Sequence, residues 1–420
     1  MKVDVARALG GPLSTATLLK RRRREDGRLF GGLLVVVLAL MPLVTAAGAA
    51  VGFGTIIAAL AALALVAAIA WRPIIGLYLT LACVVLIEQE PLQTPIFTDR
   101  LDVFHWPVAL AGLPERPIGM LLIWTLFVVV FRCLATRQPL RVGVLFWPLA
   151  LLMACVAWGV AQGVLVGGDV KIIVLELRPF EYLFLAYLLA CNLVSTKRHL
   201  TAFFWIVIAG AGVKALQGVY IVFGPLHGQI ADQNEIMAHE ESFFFVALLL
   251  LVVLFALHER HRAQLYTALA ILPPLLLSLV ANNRRADYVA LLIGIVIAWV
   301  LVIAVNPRTR RKHLIAFALC GVFGLGYIAV FSHAGGALAE PARGIVATIH
   351  PDPSDTRDVA SNLYRVYENY DLKYTARQSP LLGWGFGRPF LEPLVLPNIL
   401  SLDPYYQYVP HNTVYWVMMR

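Results

Sequence analysis

Two adjacent arginines stand in Asn282-Asn283-Arg284-Arg285-Ala286-Asp287, with apolar chain directly before and directly after them. A charged side chain at membrane depth costs roughly 2.5–3.5 kcal/mol on insertion scales, so such residues usually have a functional task. Arg178, in Glu176-Leu177-Arg178-Pro179-Phe180-Glu181, has the same character. So do Arg365, in Ser361-Asn362-Leu363-Tyr364-Arg365, and His411, in Pro410-His411-Asn412. Arginine forks bind phosphate bidentately and stay charged whatever the polarity of the site. Histidine is the usual general base near neutral pH. Together they suit a phosphorylated substrate whose diphosphate is held and stabilised as it leaves, while a hydroxyl is deprotonated to attack. In such a site arginine takes the charge-stabilising role that a metal often plays.

Each residue also has a plainer reading. Arg178 is a snorkelling side chain if it pairs with Glu176 or Glu181. Arg284-Arg285 is an interfacial anchor if Asp287 pairs with it. Arg365 is a solvated charge, or a partner of Asp358 or Glu368, and an isolated interfacial histidine is usually structural. Other motifs carry little. His258-Glu259-Arg260-His261 lacks the HExxH spacing, and His239-Glu240-Glu241 has no second histidine at ligand distance. Gly383-Trp384-Gly385-Phe386-Gly387 has no strand and helix around it to make a dinucleotide site. Lys214 is a charge inside an apolar span with no role that the sequence assigns. The five cysteines fall in apolar stretches without metal-ligand spacing and read as small hydrophobes.

The elements that must position these residues are membrane spans. With 60% hydrophobic and 14% charged side chains over 420 residues, the composition is that of a polytopic membrane protein. The predicted fold is all-α, a transmembrane bundle of about 12 spans with the last incomplete. Spans are expected at 29–48, 51–70, 73–88, 117–134, 143–165, 172–194, 201–223, 242–257, 264–281, 287–305 and 313–332, with another beginning near Thr413. With the start inside, the segments 1–28, 71–72, 132–141, 195–200, 258–263 and 306–313 hold 20 of the 34 Lys and Arg. That is the positive-inside pattern, so the net charge of +9 orients spans and does not point to nucleic acid.

The organisation follows: a cytoplasmic segment 1–28, a transmembrane domain 29–332, an outer loop 333–410 and a final span opening at 411–420. A helix of under ~20 residues does not cross the core, so a truncated chain is expected, with its last span continuing past Arg420. In the outer loop Leu363, Val366, Tyr367, Tyr370 and Tyr374 recur at helical spacing and predict an apolar helix seam, with Arg365 pointing away from it. Arg178, Arg284-Arg285, Arg365 and His411 all map to the outer side, where convergence at one cavity is open to them.

Ser379-Pro380-Leu381-Leu382-Gly383-Trp384-Gly385-Phe386-Gly387, followed by a loop and His411-Asn412 entering a span, resembles the signature of the bacterial O-antigen ligase and O-antigen polymerase family. Arg284-Arg285-Ala286 resembles that family's Ser-Arg-Gly/Ala motif, with Arg284 where the serine usually stands and Arg285 at the arginine position. Arg365 matches its arginine before the Pro-Leu-Leu-Gly motif, and Arg178 its outer-end arginine. The motifs cover 282–420, and the upstream half matches in topology only. The resemblance implies a glycosyltransferase of surface-polysaccharide synthesis that needs no metal or cofactor. It would lie in the bacterial inner membrane with its site facing the periplasm.

The donor so implied is a glycan on undecaprenyl diphosphate, held by Arg284, Arg285, Arg178 and Arg365. The acceptor is a lipid A core sugar or another lipid-linked glycan, activated by His411 as general base. Membrane lipids and polysaccharide-assembly proteins are the further partners. A transporter or flippase is the rival class, since buried charge in a many-span protein often lines a path. No internal repeat of the transporter kind is visible in the sequence. A non-catalytic assembly protein is the third reading.

Overall fold

The computed structural model describes residues 53–420 apart from 93, 102, 106–114, 230–234, 259–261, 306, 337, 351–355 and 398–404. The expected span 29–48 and the basic start at 1–28 lie outside the described residues. The chain divides into two units, Met1–Trp71 and Arg72–Arg420. Helix α1, Phe53–Trp71, is the described part of the first.

The second unit opens with α2, Ile74–Leu86, entered through Pro73, and continues with α3, Pro117–Thr136, which has proline in its first turn. Proline suits these places because a helix start leaves its N–H unbonded and its fixed φ is already helical. Then come α4, Phe146–Leu165; α5, Val170–Leu193; α6, Lys197–Phe223; α7, His239–His258; and α8, Arg262–Ala281. Asp169 and Thr196 cap α5 and α6 by accepting from the backbone N–H groups of Lys171 and His199. Next are α9, Arg285–Val305; α10, Arg310–Phe331; α11, Glu340–Ile349; α12, Thr356–Gln378; and α13, Thr413–Met419. No strand occurs among the described residues.

Among the described residues, seven helices are long and apolar enough to cross a membrane: α3, α4, α6, α7, α8, α9 and α10. Helix α5 has the length, at 24 residues, but Lys171, Glu176, Arg178 and Glu181 make it too charged to count by composition. The apolar stretches Ala59–Trp71 and Ile74–Leu86 are shorter. The build is that of a helical membrane protein, with helices at every expected span from 51 onward.

The distribution of polarity agrees with an apolar surrounding. On α10 the buried residue is His313, while Leu319, Val322, Phe323, Leu325 and Val330 are exposed. Lys214, Glu88, Asp99, Glu176 and Glu241 are meanwhile buried. In water that surface would be a large unsatisfied apolar patch; in hydrocarbon it costs nothing.

Three apolar clusters hold the second unit. One joins α6, α7 and α8 through Ile208, Phe245, Leu248, Leu275 and Leu279. Another joins α2, α3 and α5 through Leu77, Leu122, Val129 and Leu189. The remaining one gathers α4, α5, α12, α13 and the glycine-rich segment through Val156, Ile173, Leu372, Phe386 and Trp416.

The helix expected around these apolar residues is present, and its apolar seam faces outward. Leu363, Val366, Tyr367, Tyr370 and Tyr374 are exposed, and α12 instead buries Glu368, Asp371, Leu372 and Thr375. The reason is the neighbour. The segment after the glycines brings unpaired N–H groups against α12, and Thr375 Oγ1 accepts from Leu391 N at 2.9 Å and Asp371 Oδ1 from Leu394 N at 3.1 Å. Buried backbone donors need acceptors more than the tyrosines need burial.

The glycine-rich segment needs its glycines. Gly385 and Gly387 have φ of 88° and 75°, and a Cβ on Gly387 would lie 2.6 Å from the Asp169 carbonyl. Gly387→Ala should therefore cost about 1 kcal/mol or more and lower the melting temperature of the detergent-solubilised protein. Gly321→Ala, which meets open space on α10, should stay within about 0.5 kcal/mol of the wild type.

Candidate functional site

His411 sits at the entry to α13 and is bound to α12 twice. Its backbone N–H donates to the Glu368 carboxylate at 3.2 Å, and its Nδ1 lies 3.1 Å from Glu368 Oε1. Glu368 is buried to 1% side-chain exposure, whereas 48% of the His411 side chain remains exposed. Tyr364 packs edge-on against the imidazole, with ring centroids 5.6 Å apart. In the tautomer that carries its hydrogen on Nδ1, toward Glu368, Nε2 is left as an acceptor on an accessible side chain. That is the orientation a general base requires.

The next residue explains the His-Asn dipeptide. Asn412 Oδ1 caps α13 by accepting from Val414 N and Tyr415 N, at 3.1 and 3.2 Å. Its Nδ2 donates to Asn369 Oδ1 at 2.8 Å. Two consecutive residues of one segment thus grip two consecutive residues of α12. Arg365 lies one turn before Glu368 on that helix and is exposed. The sequence offered Glu368 as a partner of Arg365; its partner is His411.

Behind this pair, the Ser379–Gly387 segment is fastened to the turn between α4 and α5. Asp169 N donates to Gly387 O at 2.9 Å, and Phe386 N to Gly159 O at 3.1 Å. Glu176, fully buried on α5, accepts from Gly387 N at 2.6 Å and from Trp416 Nε1 at 3.2 Å, and pairs with Arg420. Glu176 is therefore engaged with α13 and the glycine segment, not with Arg178.

Arg178 points from another face of α5, toward the start of α3. Burial, and then the Arg178 guanidinium, push Arg116 below the ordinary arginine value, with Tyr182, Glu90 and Tyr405 acting against them. Tyr182 donates to Glu115 at 2.6 Å in the same neighbourhood. Arg178 thus has a second arginine beside it, and Tyr405 belongs to the stretch that leads to His411.

Arg284 is held at the α8–α9 turn by Glu235 and His239, and His239 Nδ1 itself lies 2.7 Å from Glu235 Oε2. Asn282, just before it, accepts from Ile236 N and Met237 N at 3.2 and 2.9 Å. Arg285 opens α9 and is half-buried beneath α11, where a Cβ on Gly344 would meet its Cγ at 3.4 Å. The five residues expected at the site therefore fall in three neighbourhoods: His411 with Arg365, Arg178 with Arg116, and Arg284 with Arg285.

Sequence reasoning missed Glu368, Arg116 and the partners of Lys214. Glu368 had a signal: Tyr364, Glu368, Asp371 and Thr375 recur at helical spacing as a polar stripe, beside the apolar one that was read. Lys214 lies over a hundred positions from Glu88 and Asp99, and nothing local links them. Among the described residues no group of three or more His, Cys, Asp or Glu is arranged to hold a metal ion.

No protein-family model, curated protein or solved structure matches this chain. The family resemblance rests on the motif residues alone.

Glu176→Ala should release both the glycine segment and α13, because it leaves Arg420 buried without its carboxylate. Breaking a buried pair on one side costs about 3–5 kcal/mol. The expected result is a strong fall in melting temperature and new protease cleavage within 379–410.

Proposed function

We propose that this chain is a membrane glycosyltransferase of the O-antigen ligase and polymerase type. It takes a glycan from undecaprenyl diphosphate at the periplasmic face of the bacterial inner membrane. The observation that carries the reading is the Glu368–His411 pair: a buried carboxylate beside an accessible imidazole, at the start of the helix whose other end meets the Pro-Leu-Leu-Gly-Trp-Gly segment. His411 takes the proton of the acceptor hydroxyl, whose oxygen attacks the anomeric carbon. The bond from that carbon to the diphosphate oxygen breaks, and the diphosphate leaves carrying the electron pair. Arg365, which shares α12 with Glu368, offsets its charge; Arg178, Arg284 and Arg285 add to this only if the bound donor draws their neighbourhoods together. The acceptor is a lipid A core sugar or a second lipid-linked glycan.

The test is glycan transfer from labelled undecaprenyl diphosphate in membranes with matched protein levels. His411→Ala should lose about 10²–10⁴-fold in rate, the usual contribution of a general base. Glu368→Gln should lower kcat by less and leave the donor KM unchanged, since it touches only the orientation of the ring. Transfer that is unchanged in both variants rejects the reading.

A transporter or flippase is the second reading, favoured by the fully buried Lys214 among carboxylates inside the bundle. It requires that labelled lipid cross the membrane when His411→Ala is present and stop when Lys214→Met is.

A further inference from the structure

Lys214 lies in α6, nine residues before its end at Phe223, and has no solvent exposure. Its Nζ is 2.7 Å from Glu88 Oε1, 3.1 Å from Asp99 Oδ1 and 3.6 Å from Glu241 Oε1. One ammonium thus faces three buried carboxylates, which come from the chain after α2, the turn Phe97–Arg100 and the first turn of α7.

The three carboxylates are not equivalent. Glu88 Oε2 also accepts from Ala238 N at 3.3 Å, and Asp99 Oδ1 from Glu88 N at 3.0 Å. Asp99 Oδ2 accepts from Gln217 Nε2 as well. Both are provided with donors as anions should be. Glu241 is fully buried, and neither of its oxygens accepts a hydrogen bond. Lys214 is already outnumbered by Glu88 and Asp99, so an ionised Glu241 would add a second unbalanced negative charge. Each buried ion without compensation costs several kcal/mol.

The cluster is short of donors elsewhere too. Gln217 is one turn beyond Lys214 on the same face of α6 and is 2% exposed. Its Nε2 is spent on Asp99, and its Oε1 has no donor. A carboxyl buried without hydrogen-bond donors is relieved by a proton of its own, because the neutral acid leaves no charge to compensate and is itself a donor.

The other charged groups near Glu241 do not supply the balance. Glu240 beside it is acidic, and Asp287 on α9 accepts from Ser242. Arg284 and His239 are engaged with Glu235. On the adjoining end of α8, Ser278 and Asn282 are neutral, and Lys214 itself occupies the centre that a metal cation would take.

We propose that the Lys214–Glu88–Asp99–Glu241 cluster is a proton-binding site, with the proton carried on Glu241 at neutral pH. The cluster ties the end of α2, the Phe97–Arg100 turn, α6 and α7 together, so the proton sets how firmly this end of the bundle is clasped. Losing it sets Glu241 against Glu88 and Asp99 and loosens the clasp. The folded chain then holds a proton that the unfolded chain gives up above the ordinary carboxylate range. Stability contributed by the site is therefore present at low pH and lost as pH rises.

Infrared difference spectroscopy on the full chain in lipid tests this through the carbonyl stretch of a protonated carboxylic acid. The expected result is such a band at neutral pH, shifted in deuterium oxide, absent in Glu241→Gln and retained in Glu240→Gln. The wild-type melting temperature should fall as pH rises, and that of Glu241→Gln should not. If Glu241→Gln does not accumulate, Glu241→Asp should keep the band at a displaced frequency. A spectrum without the band, or one that keeps it in Glu241→Gln, overturns the proposal. So does its loss on adding sodium ion at constant pH, which would make the ligand a metal cation.

Discussion

The glycine-rich segment and α13 hang on one buried carboxylate. Glu176 has no water to solvate it, so its charge must be met by protein donors, and it collects three: Gly387 N–H, Trp416 Nε1–H and Arg420. Those donors come from the glycine segment and from α13, on either side of the 390–410 connection. The backbone can come this close only because Gly163, Gly385 and Gly387 have no side chains where α4, α5 and the segment meet. Arg420 in turn donates to the carbonyls of Gly385, Arg388 and Tyr408 at 2.7–2.8 Å. The placement of His411 is a consequence, since α13 can present it to Glu368 only if the rest of the segment is fixed to α5.

Much of the fold was legible because hydrocarbon imposes a simple rule. Helices satisfy their own backbone, so long apolar runs had to be helices, and Pro117, Pro73 and the basic turns marked their ends. The sequence singled out His411-Asn412 through the family resemblance and its place at the start of a span; the cap that Asn412 makes on α13 came only with the structure. What could not be read was which polar residues meet. Lys214 and Glu88 are 126 positions apart and His411 and Glu368 are 43 apart, and no periodicity carries such pairings. The reading of α12 is instructive. Apolar and polar stripes were both present at helical spacing, and only the apolar one was singled out. In this setting the polar stripe wins because it answers the N–H groups of Leu391 and Leu394.

The arginines show how charge is kept ready inside such a protein. Arg284 is held by Glu235 and His239, and the Arg116–Arg178 neighbourhood contains Glu90, Glu115, Glu181 and Tyr182. A guanidinium left alone in an apolar surrounding would be too costly to keep, so each is accompanied by acids. The same acids limit what an arginine can do. An incoming anion must exchange with a carboxylate that already occupies the fork, and it wins only with more charge than that carboxylate. A multiply charged anion has it and a neutral group does not, so the resting pairs limit what such an arginine can bind.

The outward tyrosines of α12 fit the same physics. Tyr367, Tyr370 and Tyr374 are amphipathic, and their hydroxyls need a polar partner while their rings do not. Buried against the 391–394 segment, each would have to find a partner there. That segment has donors to place and gives them to Asp371 and Thr375, leaving Asp371 with a carboxyl that burial pushes up from its ordinary value. Turned outward, the tyrosines meet either water or the headgroup layer, where this residue type is enriched. The helix therefore rotates to the face that leaves the fewest buried donors unanswered. That choice is what puts Glu368 inward, under His411.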